Sequence, residues 1–361
     1  IGATVLIRTC AAGQPAVPGG RPGGGSPRRI GSSPVGDVET GRDGAAQGEA
    51  GASGVSATRP VRVWLPEPPE VYEGLPGGLA IDVYDGASRP PETLDQVEFY
   101  VPPYMAGLHT IELIPAMTHL RVVQTLTAGV ENVRPYVRDG VLLCNARGVH
   151  DASTAELGVA LILASLRGIP SFVRAQEQRR WAAERLQSLA DKRVLILGAG
   201  SIGRALERRL LPFECEVTLV ARTARDDVQG MDRLPELLPA ADVVVLLLPM
   251  TDETRGLVDA KFLAQMRDGA LLVNIARGPI VQADALVAEL SSGRLLAALD
   301  VTDPEPLPAT HPLWSVPGLL LSPHVGGNTS AFVPRGRRLV SEQLRRYVAG
   351  EPLVNVVTGA Y

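Results

Sequence analysis

Between Arg193 and Glu207 the sequence reads RVLILGAGSIGRALE: a strand-length apolar segment, a turn containing three glycines, and the start of an amphipathic helix. No residue separates the three parts. Gly198 suits the tight turn, Gly200 lets backbone approach a pyrophosphate, and Gly203 lets helix pack against strand. The helix then begins with unpaired N–H groups and the positive end of its dipole directed at the phosphates. Glycine-rich turns are common in a chain with 38 glycines, so the motif gains its weight from the strand and helix that flank it.

The chain has 361 residues, 45% of them hydrophobic, which is enough for two or more buried cores. A net charge of −4 provides no basic footprint for nucleic acid. Cys10, Cys144 and Cys215 are widely spaced with no CxxC pair, so they read as reduced thiols and predict neither a disulfide framework nor a metal site. That usage, with no apolar run of membrane-spanning length, leads to a cytoplasmic protein that meets no membrane. Residues 1–59 are rich in Gly, Ala, Pro and Ser, with hardly any large apolar residue after Ile7. Such a stretch cannot offset its ordering entropy and is expected to be a disordered leader.

From Val61 onward, short apolar runs closed by Gly, Pro or Asn alternate with helix-like segments. VRVWLP, LAIDVYDG, VEFYVPP, RVVQTLTAG and GVLLCNARG form a first set. After the glycine loop, VTLVAR, DVVVLLLP, ALLVNIARG, LLAALDV and LLLSPHVGG form a second. Alternation of this kind predicts α/β architecture with doubly wound parallel sheets. Thr154 to Trp181 reads as one long helix capped by Thr154 and kinked at Pro170. A last helix from Ser330 to Ala349 precedes PLVNVV, a segment able to return to the first domain. The expected domains are therefore 60–153 with 328–361, and 154–327.

Ligands in open α/β sheets bind beyond the carboxyl ends of the strands. Just past four second-set strands stand Arg222, Arg277, Asp300 with Glu305, and His324. A lone histidine after a strand is more often a satisfied surface or cap residue, the reading given to His109, His119, His150 and His311. Asp300, Asp303 and Glu305 could equally be strand-end and turn residues of a proline-rich run. The ordered set, however, resembles the D-isomer-specific 2-hydroxyacid dehydrogenases, in particular their glyoxylate/hydroxypyruvate reductases, from about Val61 to Val357. LGAGSIGRAL, LLPMTDETRGLV, VNIARGPIV and ALDVTDPEPLP followed by HPLW and SPHVGGNT carry the likeness.

That resemblance implies a flavodoxin-like substrate domain and a Rossmann domain with a cleft between them. It also implies Arg277 as the substrate arginine, Glu305 as the partner of the histidine and His324 as the acid/base, with Ala128 and Gly129 contacting the substrate carboxylate. Implied coenzyme contacts are Thr154, the loop Gly198, Gly200, Ser201, Ile202 and Gly203, then Arg222, Thr223, Leu248, Pro249 and Thr254, and finally Ile275, Ala276, Asp300, Gly326 and Gly327. The chemistry agrees. Hydride reaching a keto carbon leaves charge growing on oxygen, and a histidine oriented by a carboxylate can donate the proton it needs. An arginine's planar fork can hold a carboxylate at two points.

One departure bears on the coenzyme. Where NAD-using members close the second strand with Asp, 18 residues past Gly203, this chain has Ala221, followed by Arg222-Thr223-Ala224-Arg225. Loss of the carboxylate and gain of donors favours NADP(H), with NAD(H) the alternative if the arginines are only solvated charges. Glu305 stands where formate dehydrogenases are expected to carry Gln, which disfavours formate. No regulatory domain of the kind many phosphoglycerate dehydrogenases carry is expected after Tyr361. The leading expectation is a homodimeric reductase of small 2-keto acids. NAD-dependent 3-phosphoglycerate dehydrogenase and a nucleotide-sensing corepressor that binds protein partners are the alternatives; turnover with a 2-keto acid separates the last from the others. A chain beginning near Arg59 should remain soluble and active, and loss of activity on that truncation would show that residues 1–59 are needed.

Overall fold

A computed structural model describes residues 59–358, so residues 1–58 of the expected leader lie outside the described residues, while Arg59, its last, pairs with Glu98 at 3.1 Å. Two parallel sheets carry the fold. The first contains β1 (Val61–Leu65), β2 (Leu79–Val83), β3 (Phe99–Tyr100), β4 (Val122–Gln124) and β5 (Leu142–Cys144), in the order β2-β1-β3-β4-β5. Every pair in it is parallel, with Trp64 level with Asp82 and Tyr100. This is the flavodoxin-like doubly wound order. Several connections are single 3-10 turns, as at Leu108–Thr110 and Ile114–Ala116, where the alternation predicts a helix-like segment. Pro115 inside that stretch removes a helical donor and shortens it.

Helix α1 (Asp151–Leu166) leads into the second domain, and α2 (Ile169–Glu177) follows it at a bend of 65°. The single helix expected from Thr154 to Trp181 is thus two. Gly168 adopts φ 58°, a left-handed conformation that ends α1 two residues before Pro170. Nor is Thr154 the cap: its N–H donates to His150 O, so it lies inside the first turn, buried. No single described helix is long and apolar enough to cross a membrane.

The second sheet comprises β6 (Arg193–Leu197), β7 (Glu216–Ala221), β8 (Val228–Gly230), β9 (Val243–Leu246), β10 (Leu271–Asn274), β11 (Leu296–Leu299) and β12 (Leu319–Leu321). Their order is β12-β11-β10-β9-β6-β7-β8, all parallel. From β6 the chain winds one way through β7 and β8, then returns to β9 and winds the other way. A crevice opens at that reversal, beyond the carboxyl ends of β6 and β9. Strand β8, three residues long, has too little apolar run to be visible in the sequence.

Helix α3 (Ser201–Leu210) buries Ala205, Leu206 and Leu210, and α1 buries Ala155, Leu161, Ile162 and Leu166; both faces share one core with Val194 and Ile196. Gly158 lets α1 approach, because a Cβ there would stand 3.0 Å from Ile275 Cδ1. Helices α4 (Leu234–Leu237), α5 (Ala260–Gln265) and α6 (Ala283–Ser291) lie among the connections of this sheet. Helix α7 (Phe332–Ala349) leaves the second sheet and packs Phe332, Val340 and Leu344 into the core of the first. The tail returns too: Val356 bridges Cys144, and Val357 N–H donates to Leu143 O. Cys144 and Cys215 are free and buried, and burial pushes the Cys144 thiol up to about 11.

Buried Gln343 joins α7, β4 and the tail. Its Nε2 donates to Gln124 Oε1 at 2.6 Å and to Val354 O at 2.9 Å, while its Oε1 accepts from Val354 N–H at 2.9 Å. Gln343→Leu would strand those partners away from water, so denaturant unfolding should register a loss of about 2–4 kcal/mol. An unchanged midpoint would show that the network contributes nothing.

Candidate active site

Glycines define the nucleotide side of the crevice. Gly198 has φ 124°, and a Cβ on it would strike Leu247 O; a Cβ on Gly203 would strike Gly198 O. Both are required by the protein's own packing. Gly200 differs: a Cβ there would meet nothing within 4 Å, because it faces a cavity of about 550 Å³ bounded by Ser201, Ile202, Leu247 and Pro249. Open space over a glycine at a helix N-terminus fits a pyrophosphate, so these residues suit a dinucleotide. Arg147 and Asn355, from the first sheet's side, form the opposite wall, which the sequence reading did not include.

Ile202 and Ala128 also border a second cleft of about 370 Å³, into which the two sheets direct their strand ends. Arg277, Asp300 and His324 line it, with Ala128 and Gly129 from the loop after β4, and Thr154, Ile275, Ala276, Gly326 and Gly327. His324 Nδ1 is bonded to Glu305 Oε1, which leaves Nε2 as the nitrogen that can serve a ligand. Both side chains are a little over one-third exposed, at 38% and 39%.

The loop carrying the histidine is held by Asp300. That buried carboxylate accepts from Ser322 Oγ at 2.6 Å, Val325 N–H at 3.0 Å and Gly326 N–H at 2.9 Å. His324 itself adopts φ 52°, a left-handed conformation uncommon outside glycine, and its N–H donates to Asp300 O at 2.7 Å. A Cβ on Gly327 would strike the His150 ring, and one on Gly326 would stand 3.0 Å from Asp300 Oδ2.

Arg277 follows β10. Its Nη1 donates to Ala276 O at 2.7 Å, its Nε lies 3.4 Å from Glu131 Oε1, and its Nη2 occupies the space a Cβ on Gly129 would need. Only glycine permits that approach. Among the described residues, no protein acceptor takes the Gly129 N–H.

Five expected coenzyme residues are not in the lining of either cavity, the first being Gly198, which is closed off against Leu247 O. Leu248 packs into the core of the second sheet, leaving Leu247 and Pro249 at the cleft. Thr254 donates its hydroxyl to Pro249 O at 2.7 Å and closes a turn. Arg222 is 81% exposed, 3.8 Å from Glu253, and Thr223 is exposed beside it. Arg225 instead folds across the glycine loop and donates to Ala199 O at 3.2 Å.

Tyr104, Glu131, His150 and Met250 line the cleft but were not singled out as site residues. Met250 falls inside the LLPMTDETRGLV block, but nothing in the sequence directs these four side chains to the cleft; the apposition of the two sheets brings them in. His150 is nonetheless hydrogen-bonded as a satisfied histidine, to Leu126 O at 2.8 Å, and its ring stacks on Tyr104 and Phe332. His109, His119 and His311 are bonded to Gly86 O, Asp95 O and Leu313 N–H, none of which lines the cleft.

A Rossmann sheet facing a flavodoxin-like sheet, with a His–Glu pair and an arginine across the cleft, is the architecture of a two-domain hydroxyacid dehydrogenase. Residues 159–326 match the family described as "D-isomer specific 2-hydroxyacid dehydrogenase, NAD binding domain". The human glyoxylate reductase/hydroxypyruvate reductase is 31% identical over 252 residues, 66% of this chain and 77% of that protein. A D-isomer specific 2-hydroxyacid dehydrogenase from Xanthobacter autotrophicus Py2, solved with NADPH and MES, aligns with TM-score 0.69 at 29% identity, covering 83% of this chain and 98% of that one. An NADPH-dependent glyoxylate/hydroxypyruvate reductase from Sinorhizobium meliloti, solved with NADP and sulfate, aligns with TM-score 0.71 at 26% identity, covering 83% and 98%. The chain belongs to the D-isomer specific 2-hydroxyacid dehydrogenase family and is an NAD(P)-dependent oxidoreductase.

His324→Gln should lower keto-acid reduction by about 10²- to 10⁴-fold while leaving NADPH binding, followed by fluorescence titration, nearly intact. Arg277→Lys should also fail, in both KM and kcat, since one ammonium cannot replace a two-point fork. Near-native turnover in either variant would refute these roles.

Proposed function

We propose that this enzyme reduces small 2-keto acids to D-2-hydroxy acids, with glyoxylate and hydroxypyruvate as first candidates and NADPH as the preferred coenzyme. The observation that carries the reading is the convergence of Arg277, Glu305 and His324 on one small cleft beside the glycine loop. The human and Sinorhizobium meliloti relatives bear glyoxylate and hydroxypyruvate in their names.

The nicotinamide coenzyme supplies the hydride. Arg277 holds the substrate carboxylate, helped by the Gly129 N–H, and so fixes the carbonyl in the cleft. His324 holds a proton at Nε2 and donates it to the carbonyl oxygen as charge develops there. Glu305 keeps the imidazole in the tautomer and orientation that allow this. Asp300 positions the histidine by gripping its loop.

Ala221 at the end of β7 presents no carboxylate to repel a 2′-phosphate, and Arg225, drawn across the loop, supports NADPH as much as exposed Arg222 does. A homodimer formed through the second domain fits the exposed apolar side chains Ile169, Val173, Trp181 and Phe213. Free buried thiols suit the reducing conditions of a cytoplasm.

Steady-state kcat/KM with one keto acid tests the coenzyme assignment. NADPH should exceed NADH by roughly 5- to 150-fold, and added salt should shrink the ratio. Ala221→Asp with Arg222→Ala should reverse it by adding repulsion and removing attraction. A wild-type preference for NADH would reduce both arginines to surface charges.

A further inference from the structure

We infer that Glu131 sets the charge class of the substrate, so that the cleft takes monoanionic 2-keto acids and turns away those carrying a second anionic group. The inference rests on the reading of this cleft as a keto-acid site. Glu131 lies in the loop that follows β4, two residues beyond Gly129, and its carboxylate reaches the cleft beside the substrate arginine. Its Oε1 is 3.4 Å from Arg277 Nε and is buried without a hydrogen bond. The contact is therefore an ion pair with no hydrogen-bond geometry, and it stands because Gly129 has no side chain to separate the two groups.

The charges facing the cleft can be set against one another. Arg277 is the one arginine or lysine in its lining; Arg147 lines the neighbouring cavity on the glycine-loop side. Against it stand Glu131 and Asp300, with Glu305 behind His324. Asp300 is engaged by two backbone N–H groups and a hydroxyl, and Glu305 is engaged by the histidine. Glu131 alone is left to act on the ligand. Arg277 thus divides its charge between Glu131 and one substrate carboxylate, and a second anionic group meets no unshared cation. A like charge at roughly 6 Å in a partly desolvated site disfavours binding by about 10- to 100-fold after screening. The repelled group provides specificity that attraction to the carboxylate cannot.

The test compares kcat/KM for glyoxylate and hydroxypyruvate with that for ketomalonate and 3-phosphohydroxypyruvate, in the wild-type enzyme and in Glu131→Gln. It also measures binding of the unreactive oxamate and malonate to the full-length enzyme with NADP. Wild type should favour the monoanions at least about tenfold. Glu131→Gln, which keeps the shape and removes the charge, should narrow that ratio about tenfold, chiefly through the KM of the dianions. Oxamate should outbind malonate in wild type and lose most of that advantage in the variant. A wild type that accepts both classes equally overturns the inference. So does a variant that slows both classes alike, because Glu131 would then only position Arg277. Failure to reduce any of the four keto acids would sink the functional reading instead, and the oxamate and malonate affinities would still decide the charge rule.

Discussion

A buried carboxylate holds the working end of this enzyme together. Asp300 closes β11 with almost no exposure, and an unpaired charge there would be costly. It is compensated by two successive backbone N–H groups and a serine hydroxyl, all from the loop that follows β12. Satisfying that charge forces the loop to wrap around it. His324 takes its left-handed backbone conformation at the crest of the wrap, facing Glu305. The placement of the histidine is therefore set by a desolvation problem in the neighbouring strand.

The same loop connects the domains. Gly326 and Gly327 rest on the first turn of α1, where His150 contacts Gly327 O and Ser153 meets the Thr329 hydroxyl at 2.7 Å. Asp151, at the head of the same helix, accepts from Ser201 at the start of α3 at 3.0 Å. One helical turn thus touches the glycine loop and the histidine loop at once. Any hinge that opens the cleft has to pass through these few contacts, because α7 and the tail are bound to the first sheet through Gln343 and the Cys144–Val356 bridge.

Glycine is used in two distinct ways around the cleft. At Gly198 and Gly203 the protein's own backbone occupies the space of a side chain, so those residues serve the fold. At Gly200 the space is open, and at Gly129 it is filled by Arg277. Backbone packing requires neither of the latter two: one leaves room over the glycine turn and the other admits the arginine against the loop after β4. The guanidinium is held there by the hydrogen bond from its Nη1 to Ala276 O.

Much of this was legible in the sequence. Strands buried on both faces must be nearly all apolar, so β6, β9 and β10 announce themselves, and LGAGSIG can do little but turn and start a helix. Arg277, Glu305 and His324 were visible because strand ends in such a sheet converge on one side. What the sequence could not reveal depended on contacts between distant segments. The break at Gly168 turned on a single backbone conformation, strand β8 on pairing with β7, and the place of Leu248 on which face of a short loop met the core. Glu131 is the plainest case. In sequence it is one acid in a polar loop, and it becomes part of the site only because Gly129 lets an arginine from the other sheet, nearly 150 residues away, lie against it. Local pattern fixes which segments become strands and helices because it acts through neighbours along the chain. Charge pairing across a cleft acts through space, so the tertiary structure alone decided it.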